Sequence, residues 1–215
     1  MQQAVSKAKG IPLDLDCGRV HAILVGRLTQ LRMPIEPQPP KNTNVYISAA
    51  DGSGDFKFFS RMGDTSVAMA RTGWIPCPFT IGTRIRIRER WRMWEDPETL
   101  NDYAIYETGN DKTRMPSSKR IADLVVGKFD EWQPSRLMPK WATRIILEVI
   151  DLRVEKLQQI TDDDIWNMGI RLSSSIGGVA YREKFQWEWN DQYAELGLGW
   201  DADPWVLVPT VRRVT

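Results

Sequence analysis

Arginine stands at every second position from residue 84 to residue 90, and isoleucine fills positions 85 and 87. A period of two has a physical meaning in a β-strand, because successive side chains point to opposite faces of the sheet. We therefore predict a strand over residues 81–90, with its isoleucines in a core and its guanidiniums on the other face. Guanidiniums this close repel one another unless anions lie among them, and their forks suit carboxylate, phosphate or the edge of a base. The pattern fits either a structural ion-pair network or an anion-binding surface.

The other predicted elements follow from periodicity and from capping residues. Asp14 or Asp16 caps a first helix, Thr161 caps a second, and Gly197 ends a third. A glycine-rich turn joins two short strands into a hairpin, and the polar segment 111–127 is an inserted loop. The helices are predicted at 19–25, 162–168 and 181–196, and the remaining strands at 45–48, 56–60, 103–107, 145–154 and 205–214. This order predicts an α+β fold around a small barrel or strongly curved sheet with flanking helices.

Composition argues against several classes of protein. The net charge of the 215 residues is +1, so no global field attracts a polyanion, and nucleic-acid affinity needs a local patch. Cys17 and Cys77 lack the spacing of a zinc site or a disulfide framework, and His21 is the only histidine. We expect no metal and no cofactor. With no long apolar run and no signal-peptide pattern at the N-terminus, we expect a cytoplasmic protein.

Four sequence blocks occur in order along the chain. They are AILVGRLTQLR at 22–32 with PQP at 37–39, CPF at 77–79 leading into GTRIRIRERW at 82–91, PSRLMPKWATRI at 134–145, and GWDADPWV at 199–206. They are similar to AILxGRKTQTRR with KPQP, CPY with GDRLWVRETW, PSIHMPRWASRI and GWDANPWV of the phage and prophage branch of the ASCH domains, in the PUA-like superfamily. Such proteins often carry a label as phage morphogenetic or hypothetical proteins. The resemblance covers most of the chain outside 40–75 and 95–130.

The resemblance implies one ASCH domain over residues 1–215, with insertions at about 40–75 and 95–130. It implies a PUA-like β-barrel with flanking helices and a cleft beside the first block, in a protein of the host cytoplasm if it is phage-encoded. The general theme of the superfamily is binding of RNA or of modified nucleobases. Some ASCH proteins are reported as hydrolases that deacylate acetylcytidine, and others as ribonucleases.

The amidohydrolase type uses a lysine and a threonine of the first block and a glutamate elsewhere in the cleft. The lysine and threonine positions fall here on Leu28 and Leu31, and the Glu-Gly pair of the phage branch aligns with Met168 and Gly169. Hydrocarbon side chains cannot activate a nucleophile or move a proton. We therefore expect this chain to lack that amidohydrolase chemistry. Thr29 and Glu89 are the candidates for a compensating catalytic group.

The matched blocks also supply charged and aromatic side chains. Arginine and lysine can neutralise phosphates, tryptophan can stack on an unpaired base, and Glu89 can accept a hydrogen bond from an exocyclic amine. We expect a binding cleft formed by Arg27, Arg32, Arg88, Glu89, Trp91, Lys140, Trp141 and Arg144. Structural ion pairing is the alternative role for Arg88 and Glu89, and packing of a corner is the alternative for Trp200 and Trp205.

Three functions fit these observations. The first is binding of nucleic acid, RNA before DNA, or of a modified nucleotide. The second is an enzyme, either a nucleoside deacylase or a ribonuclease. The third is a phage protein that binds a host protein, which the near-zero net charge and ten tryptophans permit. The lost lysine and threonine positions favour the first.

Overall fold

The protein was analysed as a computed structural model, which describes residues 10–40, 43, 45–48, 55–61, 68–70, 75, 77–116, 131–171 and 181–214. The structure confirms the mixed α+β class. The chain forms two compact units. The first comprises Met1–Arg27, Arg84–Glu148 and Arg212–Thr215, and the second comprises Leu28–Thr83 and Val149–Val211.

The elements are defined by the following bounds. The helices are α1 (Cys17–Leu24), α2 (Asp162–Asn167) and α3 (Tyr181–Tyr193). The strands are β1 (Ile11–Asp14), β2 (Met33–Pro34), β3 (Val45–Ser48), β4 (Phe56–Arg61), β5 (Ala68–Ala70), β6 (Arg84–Arg88), β7 (Trp91–Glu95), β8 (Asp102–Tyr106), β9 (Lys112–Arg114), β10 (Ile146–Lys156) and β11 (Trp205–Arg213).

Strand β6 is the arginine strand, and it lies between β1 and the start of β10 in the first unit. It pairs parallel with β1 and antiparallel with β10. Ile85 and Ile87 are buried, whereas the arginines between them are partly exposed, so the predicted alternation is confirmed. The strand ends earlier than predicted, at Arg88, because the backbone of Trp91 instead pairs with Gln133 and starts another sheet.

Strands β7, β8 and β9 form an antiparallel sheet in the first unit. Trp91, Met93, Ala104 and Tyr106 cover one face and pack into a buried cluster with Met138 and its neighbours. The strand predicted at 103–107 corresponds to β8. Strand β9 falls inside the segment predicted as a loop, because its backbone pairs with β8 although its side chains are polar. Residues 117–127 of that segment lie outside the described residues.

Helix α1 begins two residues before its predicted start. Asp16 is the cap, since its carboxylate accepts a hydrogen bond from the Arg19 backbone amide at 2.9 Å. Gly26 follows the helix with a φ of 71°, a left-handed conformation that glycine adopts without strain. The cap brings Leu15–Cys17 to the start of the helix, next to the end of β6, where the Leu15 amide donates to the Arg88 carbonyl at 3.1 Å.

In the second unit β11 lies between β10 and β2. Helices α2 and α3 pack Ile165, Phe185 and Trp189 with Val206 and Val208 of β11 in one buried cluster. Phe185 and Trp189 stand four residues apart on α3, so they form a buried aromatic stripe along one face of the helix. Helix α3 ends at Tyr193, three residues before its predicted end, and a single 3-10 turn reaches Leu196 before Gly197.

The corner at 199–206 packs as expected. Trp205 is 6% exposed, and Trp200 lies against the α3 cluster with its ring centre 6.0 Å from that of Phe185. The predicted hairpin is present as the antiparallel pair β3 and β4, to which β5 adds. Its predicted glycine-rich turn, 51–54, lies outside the described residues.

In the part of the chain that the structure describes, the strands do not close into a barrel. The three helices in that part include none with the length and apolar character needed to cross a membrane.

Candidate functional site

A cavity of about 470 Å³ lies in the first unit. Four segments form its wall: the start of α1, the turn between β6 and β7, the end of β8, and the segment that pairs with Trp91. The lining residues are Leu15, Asp16, Cys17, Glu89, Arg90, Glu107, Thr108, Trp132, Pro134 and Ser135. The cavity therefore combines carboxylates, one guanidinium and one indole.

Glu89 is held in one orientation on the cavity wall. It is 2% exposed, and Arg144 donates to it from Nε to Oε1 at 2.9 Å and from Nη2 to Oε2 at 2.8 Å. Nη1 of the same guanidinium donates to Asp111 at 2.8 Å. Burial alone would lower the pKa of Arg144, but its hydrogen bonds with Glu89 and the nearby acidic charges raise the pKa above its usual value. The guanidinium therefore stays charged and fixes the Glu89 carboxylate.

Tyr106 lies beneath this pair, with the Arg144 guanidinium carbon 4.2 Å from its ring centre. Its hydroxyl contacts the Ala142 carbonyl oxygen and, at 2.6 Å, the Thr113 hydroxyl. Burial raises the pKa of Tyr106 to about 12, so the phenol stays neutral at physiological pH. The ring therefore packs against the ion pair that holds Glu89 at the cavity wall.

Trp132 is the aromatic residue of the cavity, and it is 37% exposed. The guanidinium carbons of Arg90 and Arg92 lie 5.9 and 5.3 Å from its ring centre, which is within cation–π range. Arg90 also forms an exposed ion pair with Glu107 at 2.9 Å. Sequence reasoning missed Trp132 because it stands just before the third matched block, and only the high tryptophan content pointed to it.

The structure places the other predicted residues of the first unit as follows. Arg88 donates two hydrogen bonds to Asp14, at 2.8 and 2.7 Å. Trp91 is wholly buried and meets Trp141 edge to face at 6.4 Å between ring centres. Lys140 is exposed, and Arg27 is partly exposed with its Nε buried. Of the predicted binding residues, only Glu89 lines the cavity.

Arg32 lies in the second unit, inside a buried network. It donates to Glu155 at 2.5 Å and lies 3.7 Å from Asp164. Asp164 also accepts hydrogen bonds from Gln30, at 2.9 Å, and from Arg153. Burial alone would raise the pKa of Asp164, but these hydrogen bonds and those from Thr161 hold it well below its usual range. The network links the segment after α1 to β10 and α2, which is a structural role.

The three positions aligned above with amidohydrolase residues lie in the core of the second unit. Leu28, Leu31 and Met168 are 5%, 6% and 5% exposed. Thr29 is exposed, and its amide donates to the Asn167 carbonyl at 2.8 Å. These leucine and methionine side chains therefore fill core space.

Among the residues that the structure describes, no three His, Cys, Asp or Glu side chains are grouped closely enough to hold a metal ion. No protein-family model matches the chain, and searches of curated proteins and of solved structures found no similar protein.

Proposed function

We propose that this protein binds nucleic acid, with a preference for RNA over DNA, or a modified nucleotide. We propose further that an unpaired base occupies the cavity of the first unit. One observation carries the proposal. The exposed Trp132 indole and the fixed Glu89 carboxylate border the same cavity.

The physical argument rests on the two groups together. An aromatic face stacks on any base and contributes about 1–3 kcal/mol per base. A fixed carboxylate accepts hydrogen bonds from an exocyclic amine, so it favours cytosine or adenine over uracil. A volume of about 470 Å³ is within the usual range of small-molecule sites, which is large enough for a base or a nucleoside.

Arg88 and Arg144, two of the arginines in the predicted cleft, are poorly placed to bind a phosphate. Both guanidinium forks are already filled by carboxylates, from Asp14 and from Glu89. Exposed cations without a carboxylate partner are better placed to bind a phosphate, because they do not have to break an ion pair first. Lys140 and Arg136 are exposed, and neither has an acidic partner among the residues that the structure describes. We infer that these two contribute to phosphate affinity.

The same proposal includes membership of the phage-type ASCH group, with a PUA-like barrel. The four matched blocks support it, and the mixed α+β fold is compatible with it. The buried leucines at 28 and 31 favour binding over deacylation. An incubation with acetylcytidine tests the enzymatic alternative, since product that disappears in Glu89→Gln would revive it.

The test of binding is fluorescence anisotropy with single-stranded RNA, single-stranded DNA and duplexes at two salt concentrations. We expect binding to single strands that weakens with salt. Trp132→Ala should weaken it by about 5- to 100-fold, from the free energy of one stacked base. Trp187→Ala is the matched control, since Trp187 is 58% exposed on α3 of the second unit. No binding at low salt, or equal loss in both variants, would contradict the proposal.

A further inference from the structure

The face of β6 that carries its arginines contains more positive than negative charge. Residues paired in register share a face of a sheet, so Asp14 lies beside Arg88, and Glu148 lies beside Arg84. Arg212 of β11 also reaches this face, since it donates to Glu148 at 3.0 and 2.8 Å. All of these residues belong to the first unit.

Both carboxylates on this face already have a partner. Asp14 receives two hydrogen bonds from Arg88, at 2.8 and 2.7 Å, and Glu148 receives two from Arg212. Arg84 and Arg86 lie on the same face and take part in neither of these ion pairs. Within the described part of the chain, neither has a carboxylate within ion-pair distance.

Arg86 is the more informative of the two. It is partly buried, and among the described residues its Nε has no hydrogen-bond partner, while Nη1 donates to the Thr143 hydroxyl at a long 3.4 Å. Burial lowers the pKa of Arg86, and the charge of Arg88 lowers it further. A partly buried cation with unfilled hydrogen bonds is costly unless an anion supplies the missing partner.

We propose that Arg84, Arg86 and Thr143 bind a phosphoryl group, either in the backbone of a nucleic acid or as free phosphate. Side chains two positions apart on a strand start about 6.6 Å apart, so two long guanidinium arms can meet on one tetrahedral anion. Each fork donates parallel hydrogen bonds to its oxygens. The Thr143 hydroxyl adds a neutral donor. This site does not depend on the base-binding cavity.

The first test is an NMR titration of the arginine Nε–Hε signals with inorganic phosphate, at an ionic strength held constant with chloride. We expect a saturable shift of the Arg86 signal. Arg84→Ala and Arg86→Ala should each weaken phosphate binding by at least about tenfold, since a hydrogen-bonded charge is lost. Arg114→Ala is the control, since Arg114 is exposed on β9 of another sheet, and it should leave phosphate binding unchanged. No saturable shift, or an equal effect of the control, overturns the proposal.

Arg86→Lys is the control for loss of phosphate binding that is caused by misfolding of an alanine variant. It keeps the charge but loses the fork, so it should fold as the wild type does by circular dichroism and still bind phosphate more weakly. Unchanged affinity in this variant would show that the forked geometry plays no part, and would overturn the site as described.

The second test separates the two sources of phosphate and separates this site from the cavity. The probe is an abasic deoxyribose-phosphate strand, which carries phosphates without bases. If the ligand is a nucleic-acid backbone, the strand binds, and each arginine variant reduces its salt slope by about one. If only inorganic phosphate binds, the ligand is free phosphate. Trp132→Ala should leave both results unchanged, so a failure here is distinct from a failure of base binding.

Discussion

Glu89 and Arg144 form a buried bidentate ion pair, with side chains only 3% and 8% exposed, across a separation of 55 residues. The pair joins the turn after β6 to the segment before β10. Its two parallel hydrogen bonds fix the position of both groups. The contribution of such a pair is seen most clearly when one partner is removed, because the remaining charge is left buried and unpaired.

We expect Glu89→Gln to lower the free energy of unfolding by about 3 kcal/mol, the lower end of the range for a broken buried pair, since Asp111 still contacts Arg144. Urea denaturation measures this loss. The control is Glu148→Gln, whose partner Arg212 has a side chain 63% exposed, and it should cost less than about 1 kcal/mol. Equal costs in the two variants would show that burial of the Glu89 pair adds nothing.

Asp164 should make stability depend on acid pH. Its folded-state pKa lies well below the usual value of about 3.9. Its contribution is therefore complete above about pH 5 and is lost as the pH falls toward pH 2, where the unfolded chain takes up the proton first. Urea unfolding from pH 5 to pH 2 should show a shallower decline in Asp164→Asn than in the wild type. Parallel declines would contradict the hydrogen-bonded role of this carboxylate.

Tyr106 should make stability depend on alkaline pH in the opposite sense. Its folded-state pKa is raised to about 12, whereas an unfolded tyrosine ionises near pH 10. Between these values the unfolded chain loses a proton that the folded chain keeps, so stability falls as the pH rises. We expect Tyr106→Phe to remove this part of the decline between about pH 9 and pH 11.5. If the phenylalanine variant declines as the wild type does, Tyr106 ionises normally.

Thr161 should stabilise α2 through its cap. Its hydroxyl accepts from the Asp164 amide at 3.1 Å, while the Asp164 carboxylate accepts from the Thr161 amide at 2.9 Å. Thr161→Ala should cost about 0.5–2 kcal/mol of unfolding free energy in thermal or urea denaturation. Thr161→Ser keeps the hydroxyl and should recover most of it. A serine variant as unstable as the alanine variant would assign the loss to the methyl group instead.

Local patterns predicted most elements of the fold. The alternation at 84–88, the Thr161 cap and the aromatic stripe through Phe185 each act within a few residues, so the sequence alone reveals them. Strand β9 was missed because Lys112–Arg114 has no apolar alternation and is a strand only through its pairing with β8. The ends of the strands were also less predictable. Strand β6 ends at Arg88, and the next residue, Glu89, pairs with the distant Arg144.

The candidate site was less predictable than the fold. Sequence analysis selected both Glu89 and Arg144, but not their pairing, which depends on how distant segments meet. A clue was present: the period of two puts residue 89 on the same face as Ile85 and Ile87, and a carboxylate on a buried face requires a cation. Trp132 lines the cavity because its neighbour Gln133 pairs with Trp91, a contact between distant segments that sequence patterns do not reveal.

The path of the chain through its two units also constrains when each unit can be completed during synthesis. The first unit needs Arg212, which pairs with Glu148, and Val214, whose amide donates to the Ile146 carbonyl at 2.9 Å. Every residue of the second unit precedes these in sequence. Residues 212–214 must therefore leave the ribosome before the first unit can be completed, and the last residue of the second unit, Val211, comes only one position earlier. A growing chain halted before β11 would leave both units without their last strand.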